Sequence, residues 1–344
     1  MKIYHLIVLF ILMLGCKKPF SQTPETALAF PIEDTKAEES IAFIAGFDED
    51  DNRYYDNAKN YFQAKNIQVV DSLFSIAEII SFLNKNSNKT FKNIHIVSHS
   101  NSWLGMSLKT IKNGERITVE SLSHAKNNMP LLKDDFNSDA QIVFHSCGLG
   151  ENKELLEALK RLFVTQNSSQ TPKIIASSFF NVFGGKYAGH YLAKPYYGYY
   201  PTAGSPGPLA LSKEFEASYP NTNIDWFTAL KTREETNLGQ VYSYKFNIPV
   251  VWEFTFNDPT EIPELTDREA IMDWVSESPE MASVILKLNI PIEKYRWKSD
   301  IHGNKLSIKG KTTVLCVLEP ILQENDATEY RSPEFSDASL YHIL

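Results

Sequence analysis

The sequence predicts an α/β domain built on a parallel sheet, followed by an α+β region. Three observations carry this. Of 344 residues, 43% are hydrophobic and 22% charged, enough apolar material for a buried core. Between residues 41 and 177, short apolar runs alternate with stretches of helical periodicity, the pattern of parallel strands joined by helical crossovers. Beyond residue 185 the alternation gives way to mixed helix-like and strand-like pieces. The net charge of -8 excludes a uniformly basic, phosphate-neutralising surface, so no nucleic-acid partner is expected. Three cysteines are too few for a disulfide framework, which leaves stability to the core.

Each element follows from its own pattern. Residues 41–47 (IAFIAGF) read as a fully buried strand that ends in the acidic turn of residues 48–51. Residues 54–65 carry Tyr54, Ala58, Tyr61 and Phe62 at helical spacing, and residues 67–70 form a second strand. Ser75 suits an N-cap, and Ile76, Ile79, Ile80 and Leu83 then share one helix face. Residues 93–98 (NIHIVS) are a third strand. Residues 103–132 form an insertion in which Gly105 and the Asn113-Gly114 pair suggest a hairpin or loop excursion. Residues 140–144 (AQIVF) are a fourth strand, residues 152–163 an amphipathic helix, and residues 173–177 (KIIAS) a fifth strand.

The second half is less patterned. Residues 191–208, rich in tyrosine, proline and glycine, read as a loop or boundary, and the aromatic run 196–200 as a cover for a sheet edge or a groove lining. Helices are expected over residues 267–276 and 280–288. Strands are expected over residues 240–246, 250–256 and 306–318, the last preceded by a hairpin turn at residues 301–304. Cys316 reads as strand core.

Met1 and Lys2 precede a nine-residue apolar run from residue 6 to residue 14, far short of the about 20 residues a membrane-spanning helix needs. That is the form of a signal peptide, residues 1–15. The run ends in Met13, Leu14, Gly15 and Cys16, which resembles the lipobox of bacterial lipoproteins. The resemblance implies lipidation of Cys16 and a membrane partner through that lipid anchor. Cleavage there removes Lys2 and takes the net charge from -8 to -9. Residues 16–40 then form a polar, lipidated tether in the cell envelope, in the outer membrane or facing the periplasm. An ordinary signal cut further on, near Ser21, is the alternative.

Side chains at the carboxyl ends of parallel strands converge on one edge of the sheet. Here the third strand ends in Ser98, His99 and Ser100, and the fourth in His145, Ser146, Cys147 and Gly148. If the two strands are neighbours, the His99 imidazole and the Cys147 thiol emerge together as a thiolate and imidazolium pair, a nucleophile with its acid/base partner. The order IHIVSHS, then 48 positions from residue 99 to residue 147, then AQIVFHSCG, a helix and KIIAS, resembles the caspase-like cysteine peptidase fold. That group includes caspases, legumains, gingipains, clostripain, separase and CHAT domains.

The resemblance covers residues 41–185. It implies an α/β fold, a caspase-like parallel sheet with helices on both faces, plus a C-terminal α+β region, residues 186–344, of unknown role. It implies Cys147 as nucleophile, His99 as general acid/base, and the backbone amides of Ser100 and Cys147 as oxyanion donors, acting on a peptide or protein substrate without a cofactor. The family usually has glycine after the histidine, where this chain has Ser100, and caspases have alanine where Ser146 stands.

Two other readings compete. The segment IHIVSHSNS also resembles a nucleophile elbow, with Ser100 as the nucleophile of a serine hydrolase that would have to enlist His190 or His302. Alternatively, Cys147 and His99 are packing residues of a noncatalytic surface-binding lipoprotein whose caspase-like domain is inactive. His95 and His145 are expected to be structural or to tune the site. Asp48, Asp50 and Asp51 stand at the predicted edge, where carboxylates would favour substrates with lysine or arginine. The same turn lacks the glycine and glutamate of a calcium loop, and no metal-ligand spacing occurs elsewhere, so no metal is expected.

Overall fold

One sheet frames the site. The computed structural model describes residues 39–46, 48, 52–89, 91–133, 136, 139–165 and 171–344. The signal peptide, Cys16, Asp50 and Asp51 lie outside the described residues, as does the tether through residue 38. In chain order the frame contains β1 (Glu39–Ile44), α1 (Asn52–Ala64), β2 (Gln68–Val70), α2 (Ile76–Lys85) and β3 (Phe91–Val97). A small antiparallel sheet follows, formed by β4 (Ser100–Asn101), β5 (Gly105–Lys109) and β6 (Arg116–Ile117), and leads into α3 (Val119–Ala125). Then come β7 (Gln141–His145), α4 (Lys153–Lys160) and β8 (Lys173–Ser177).

The expected helix starts are capped as their sequences suggest. Ser75 Oγ accepts the Glu78 amide at 3.3 Å, and Asn152 Oδ1 accepts the Leu155 amide at 3.0 Å. The strand order is β2-β1-β3-β7-β8, all parallel, and β16 (Tyr341–Ile343) closes the edge antiparallel to β8.

Alternation along the strands sorts the core into two layers. Ile41, Phe43, Ile94, Ile96, Ile142 and Phe144 face α2 and α4, meeting Ile76, Ile80, Leu155 and Leu159. On the opposite face, Ala42, Ile44 and Val97 pack on Tyr54, Ala58 and Phe62 of α1. Helices therefore cover both faces.

The remaining chain builds a second, antiparallel sheet. β9 (Phe180–Phe183), β10 (His190–Pro201), β11 (Tyr242–Thr255), β12 (Arg296–His302) and β13 (Lys305–Pro320) pair in the order β11-β13-β10-β9, with β12 against the first half of β13, and a short hairpin of β14 (Leu322–Gln323) and β15 (Asp326–Tyr330) follows. Helices α5 (Pro208–Ser218) and α6 (Trp226–Lys231) pack Phe215 and Trp226 on Tyr196 and Leu315 of this sheet. Helices α7 (Arg268–Glu277) and α8 (Pro279–Leu288) contribute Ile271, Val275 and Met281 to its other core, with Trp297 and Ile308.

The expected loop over residues 191–208 is instead the twelve-residue strand β10 followed by the start of α5. Proline is tolerated there for a local reason. β9 pairs only with residues 190–193, so from Pro195 onward one side of β10 is an edge. Tyr197 turns its N–H to that side, onto the Tyr219 hydroxyl at 2.9 Å, and the nitrogen of Pro195 points the same way by alternation. No ladder bond is lost. Gly198 makes room for Phe215, since a Cβ at 198 would lie 2.5 Å from that ring. The two strands expected at residues 240–246 and 250–256 are one continuous β11, which carries Pro249 on the outer edge of the sheet.

The boundary drawn from the sequence at residue 185 falls in the β9–β10 turn. The sheets are tied by Val143, Ile175 and Tyr341 of the first against Leu192 of β10, and residues Ala37–Leu344 form one compact unit. Leu192 is 1% exposed, so Leu192→Ala should cost about 2–5 kcal/mol. Urea unfolding followed by far-UV circular dichroism and by tryptophan fluorescence should move to one lower, shared midpoint. Two separated transitions would show that the sheets unfold independently.

Candidate functional site

Parallel pairing of β3 with β7 sets their ends level, two positions before His99 and Cys147. Val97 stands opposite His145, an offset of 48, and the same offset relates residue 99 to residue 147. The ladder continues one step past the strands, where the Ser98 amide donates to the His145 carbonyl at 3.4 Å. Both side chains fall on the layer shared with α1, because they keep the alternation of Val97 and His145.

The imidazole of His99 lies between two tyrosines of α1. It stacks on Tyr54 at 4.3 Å between ring centroids and meets the edge of Tyr55 at 4.9 Å. The His99 backbone is held as well, since its N–H donates to the Tyr55 hydroxyl at 3.1 Å and its carbonyl accepts from Ser107 at 2.7 Å. The Tyr55 hydroxyl donates in turn to Asp48 Oδ1 at 2.5 Å. Asp48, expected to meet a basic substrate, is thus engaged inside the protein, fixing the tyrosine that fixes His99. That carboxylate and burial together push the Tyr55 phenol far up.

Cys147 opens the turn into α4, where Gly148 takes the left-handed conformation (φ 67°) that favours glycine. Its sulfur is covered by the second sheet. Cys147 is 7% exposed and packs with Phe180, Tyr191, Ala193, Cys316 and Leu318. The Sγ–H donates to the Asn181 carbonyl on β9 at 3.9 Å. Burial pushes the thiol up to about 12, against an ordinary value near 9. At pH 7 only about one molecule in 10⁵ would carry the thiolate in this packing. In this packing burial favours the neutral thiol over the thiolate of the pair expected from the sequence. Tyr54 stacks its ring on His99, and its phenol is pushed up first by burial and further by any charge on Cys147.

Beside these strand ends opens a cleft of about 1120 Å³, lined among others by Ser100, Trp103, His124, Gly148, Glu151 and Leu288. Ser100 and Gly148 directly follow His99 and Cys147, so the cleft begins where the pair ends. Its far wall is the end of α8, held by Trp103, whose indole N–H donates to the Leu288 carbonyl at 2.9 Å. The second half of the chain therefore completes the cleft. His124, on α3, and Glu151, whose carboxyl burial raises, were not singled out from the sequence. The α3 helix lies inside the insertion after the histidine-ended strand, and that position was the available signal.

The partners of a Ser100 nucleophile are placed otherwise. His190 is buried against Asn181, and His302 is an exposed residue of the β12–β13 hairpin. Cys316 is buried in β13 as strand core.

In the folded chain, Cys147 should react with iodoacetamide at pH 8 at least about 100-fold more slowly than in urea, measured by peptide mapping; equal rates would show the sulfur unsheltered. Since the unfolded thiol ionises first, near 9, stability should fall as pH rises from about 9 towards about 12, and Cys147→Ser should reduce that slope. Comparison with protein-family models and with curated proteins gives no match, so the functional reading rests on the geometry.

Proposed function

We propose that this chain is a lipid-anchored, cell-envelope cysteine peptidase of caspase-like fold, with Cys147 as nucleophile and His99 as general acid/base, held at rest in a covered form. The observation that carries the reading is the pairing of Val97 with His145 at the ends of adjacent parallel strands, two positions before residues 99 and 147, beside a 1120 Å³ cleft lined by the next residues, Ser100 and Gly148. The first sheet adds support, with its histidine-ended strand followed spatially by its cysteine-ended one. An extended peptide bound along the cleft would present its carbonyl to the thiolate. The sulfur bonds the carbonyl carbon, backbone amides at Ser100 and Cys147 take the oxyanion, and His99 passes its proton to the departing amine. Water then cleaves the thioester, releasing the acid and returning the thiol. The chemistry needs no cofactor. The envelope location rests on residues 1–16.

One observation favours a second reading, a noncatalytic lipoprotein that binds peptides in the same cleft. It is the burial of the Cys147 sulfur among aromatic rings. Incubation of the full chain with a peptide library across pH 4–8 separates the two. The peptidase reading expects cleavage that falls at least about 100-fold in Cys147→Ala and His99→Ala, with the circular dichroism spectrum unchanged. Peptide binding without cleavage, or cleavage that survives Cys147→Ala, would remove it.

A further inference from the structure

Three buried histidines form a ladder between the two sheets, and Asn181 links that ladder to the Cys147 thiol. His95 on β3 and His145 on β7 lie side by side, with His95 Nδ1 3.1 Å from His145 Nε2. The His145 ring lies 5.4 Å from that of His190 on β10. His190 Nε2 is 3.1 Å from Asn181 Oδ1 on β9, and the carbonyl of the same Asn181 accepts the Cys147 Sγ–H. All three rings are 7% exposed or less. Phe62 of α1, Phe183 of β9 and Phe335 enclose them. Among the described residues they belong to no group that could hold a metal ion.

Two ring nitrogens 3.1 Å apart can share only one proton, one ring donating and the other accepting. A second proton turns the acceptor into a donor, and two N–H groups then face each other. The charges that act on the ladder have one sign, coming from the histidines themselves and from Lys65 at the end of α1. Among the described residues, the other titratable groups packed around it are the phenols of Tyr61 and Tyr54 on α1, Tyr54 donating to the His145 carbonyl at 2.9 Å, and, behind Phe335, Tyr341 on β16. None of these groups is a carboxylate that would neutralise an imidazolium.

We propose that this ladder is an acid-sensitive latch, in which protonation drives β9 off the first sheet, withdraws the Asn181 carbonyl from Cys147 and uncovers the thiol. Burial holds His95 at about 4 and His190 at about 3, and pushes His145 well below the ordinary 6.5. The closed form therefore keeps its rings neutral in mild acid, whereas an opened form takes up protons as pH falls below 6.5. Acid thus favours the open form. From pH 6.5 to 4.5, each histidine that protonates only on opening raises the open-to-closed ratio by about 50-fold. The latch governs catalysis only on the reading that Cys147 is the nucleophile, but the uncovering of the thiol is measurable either way.

The test uses 4,4′-dithiodipyridine, which reacts with thiols in acid as well as at neutrality. The thiol sulfur bonds one reagent sulfur, the reagent S–S bond breaks, and 4-thiopyridone leaves with the proton. Peptide mapping of the full chain reads Cys147 and Cys316 separately, each normalised to the urea-unfolded chain at the same pH. The latch expects protection of Cys147 to fall at least tenfold between pH 7 and pH 4.5, with Cys316 still protected and the circular dichroism spectrum unchanged. His190→Gln should flatten that dependence, and His95→Gln serves the same purpose if the first variant does not fold. Protection that is flat with pH in the wild-type chain, or that is lost at Cys316 together with the fold, overturns the latch. Flat protection alongside Cys147-dependent cleavage removes the latch and leaves the peptidase. Acid uncovering in a chain that cleaves nothing supports the latch and removes the peptidase.

Discussion

The pairing of β3 with β7 is the constraint on which everything else depends. Both strands are buried on both faces, so their register is fixed by two layers of side chains at once. Ile94 and Ile142 must meet the α2 and α4 layer, while Val97 and His145 face the other way. A slip of one residue would turn every side chain of one strand to the wrong layer. The same register that satisfies the core leaves His99 and Cys147 level and on one side. The geometry of the candidate site is a by-product of burying the strands that precede it.

Cover over the sulfur is the second controlling feature, and it acts against the first. The paired strand ends put a thiol and an imidazole on one edge of the sheet, and an imidazolium there would favour charge separation. Phe180, Tyr191 and Leu318 of the second sheet exclude the water that would solvate the charge. With the thiol at about 12, desolvation wins in the packed state. The second half of the chain thus both walls the cleft, through α8 held by Trp103, and shelters the Cys147 thiol, through β9. Asn181 stands at the meeting point, with its carbonyl on the thiol and its amide oxygen on His190.

Much of the first sheet was legible in the sequence because its strands are short apolar runs and its helices carry clear periodicity and caps. Ser75, Ile76, Ile79, Ile80 and Leu83 sit as their spacing indicates. The second sheet was harder for a specific reason. β10 contains tyrosine, proline and glycine, residues that signal a turn when read locally. They are accommodated only because Pro195 meets an edge and Gly198 meets Phe215. β16 is three residues long and carries no pattern of its own, so only its pairing with β8 makes it a strand.

His99, Ser100 and Cys147 could be picked out from strand ends and spacing, since the period of a β-strand is a local property that sequence records directly. The acidic turn could be seen too, but not that Asp48 would be used by Tyr55, a contact that needs α1 folded over β1. Nor could the sequence tell which element would cover the sulfur. The ionisation of Cys147 depends on how much water and how many aromatic rings surround it, and those come from residues 33 to more than 160 positions away. Local pattern determined where a thiol and an imidazole follow the strand ends. Long-range packing decided whether either one meets solvent, because desolvation is a property of the assembled neighbours and not of the residue itself.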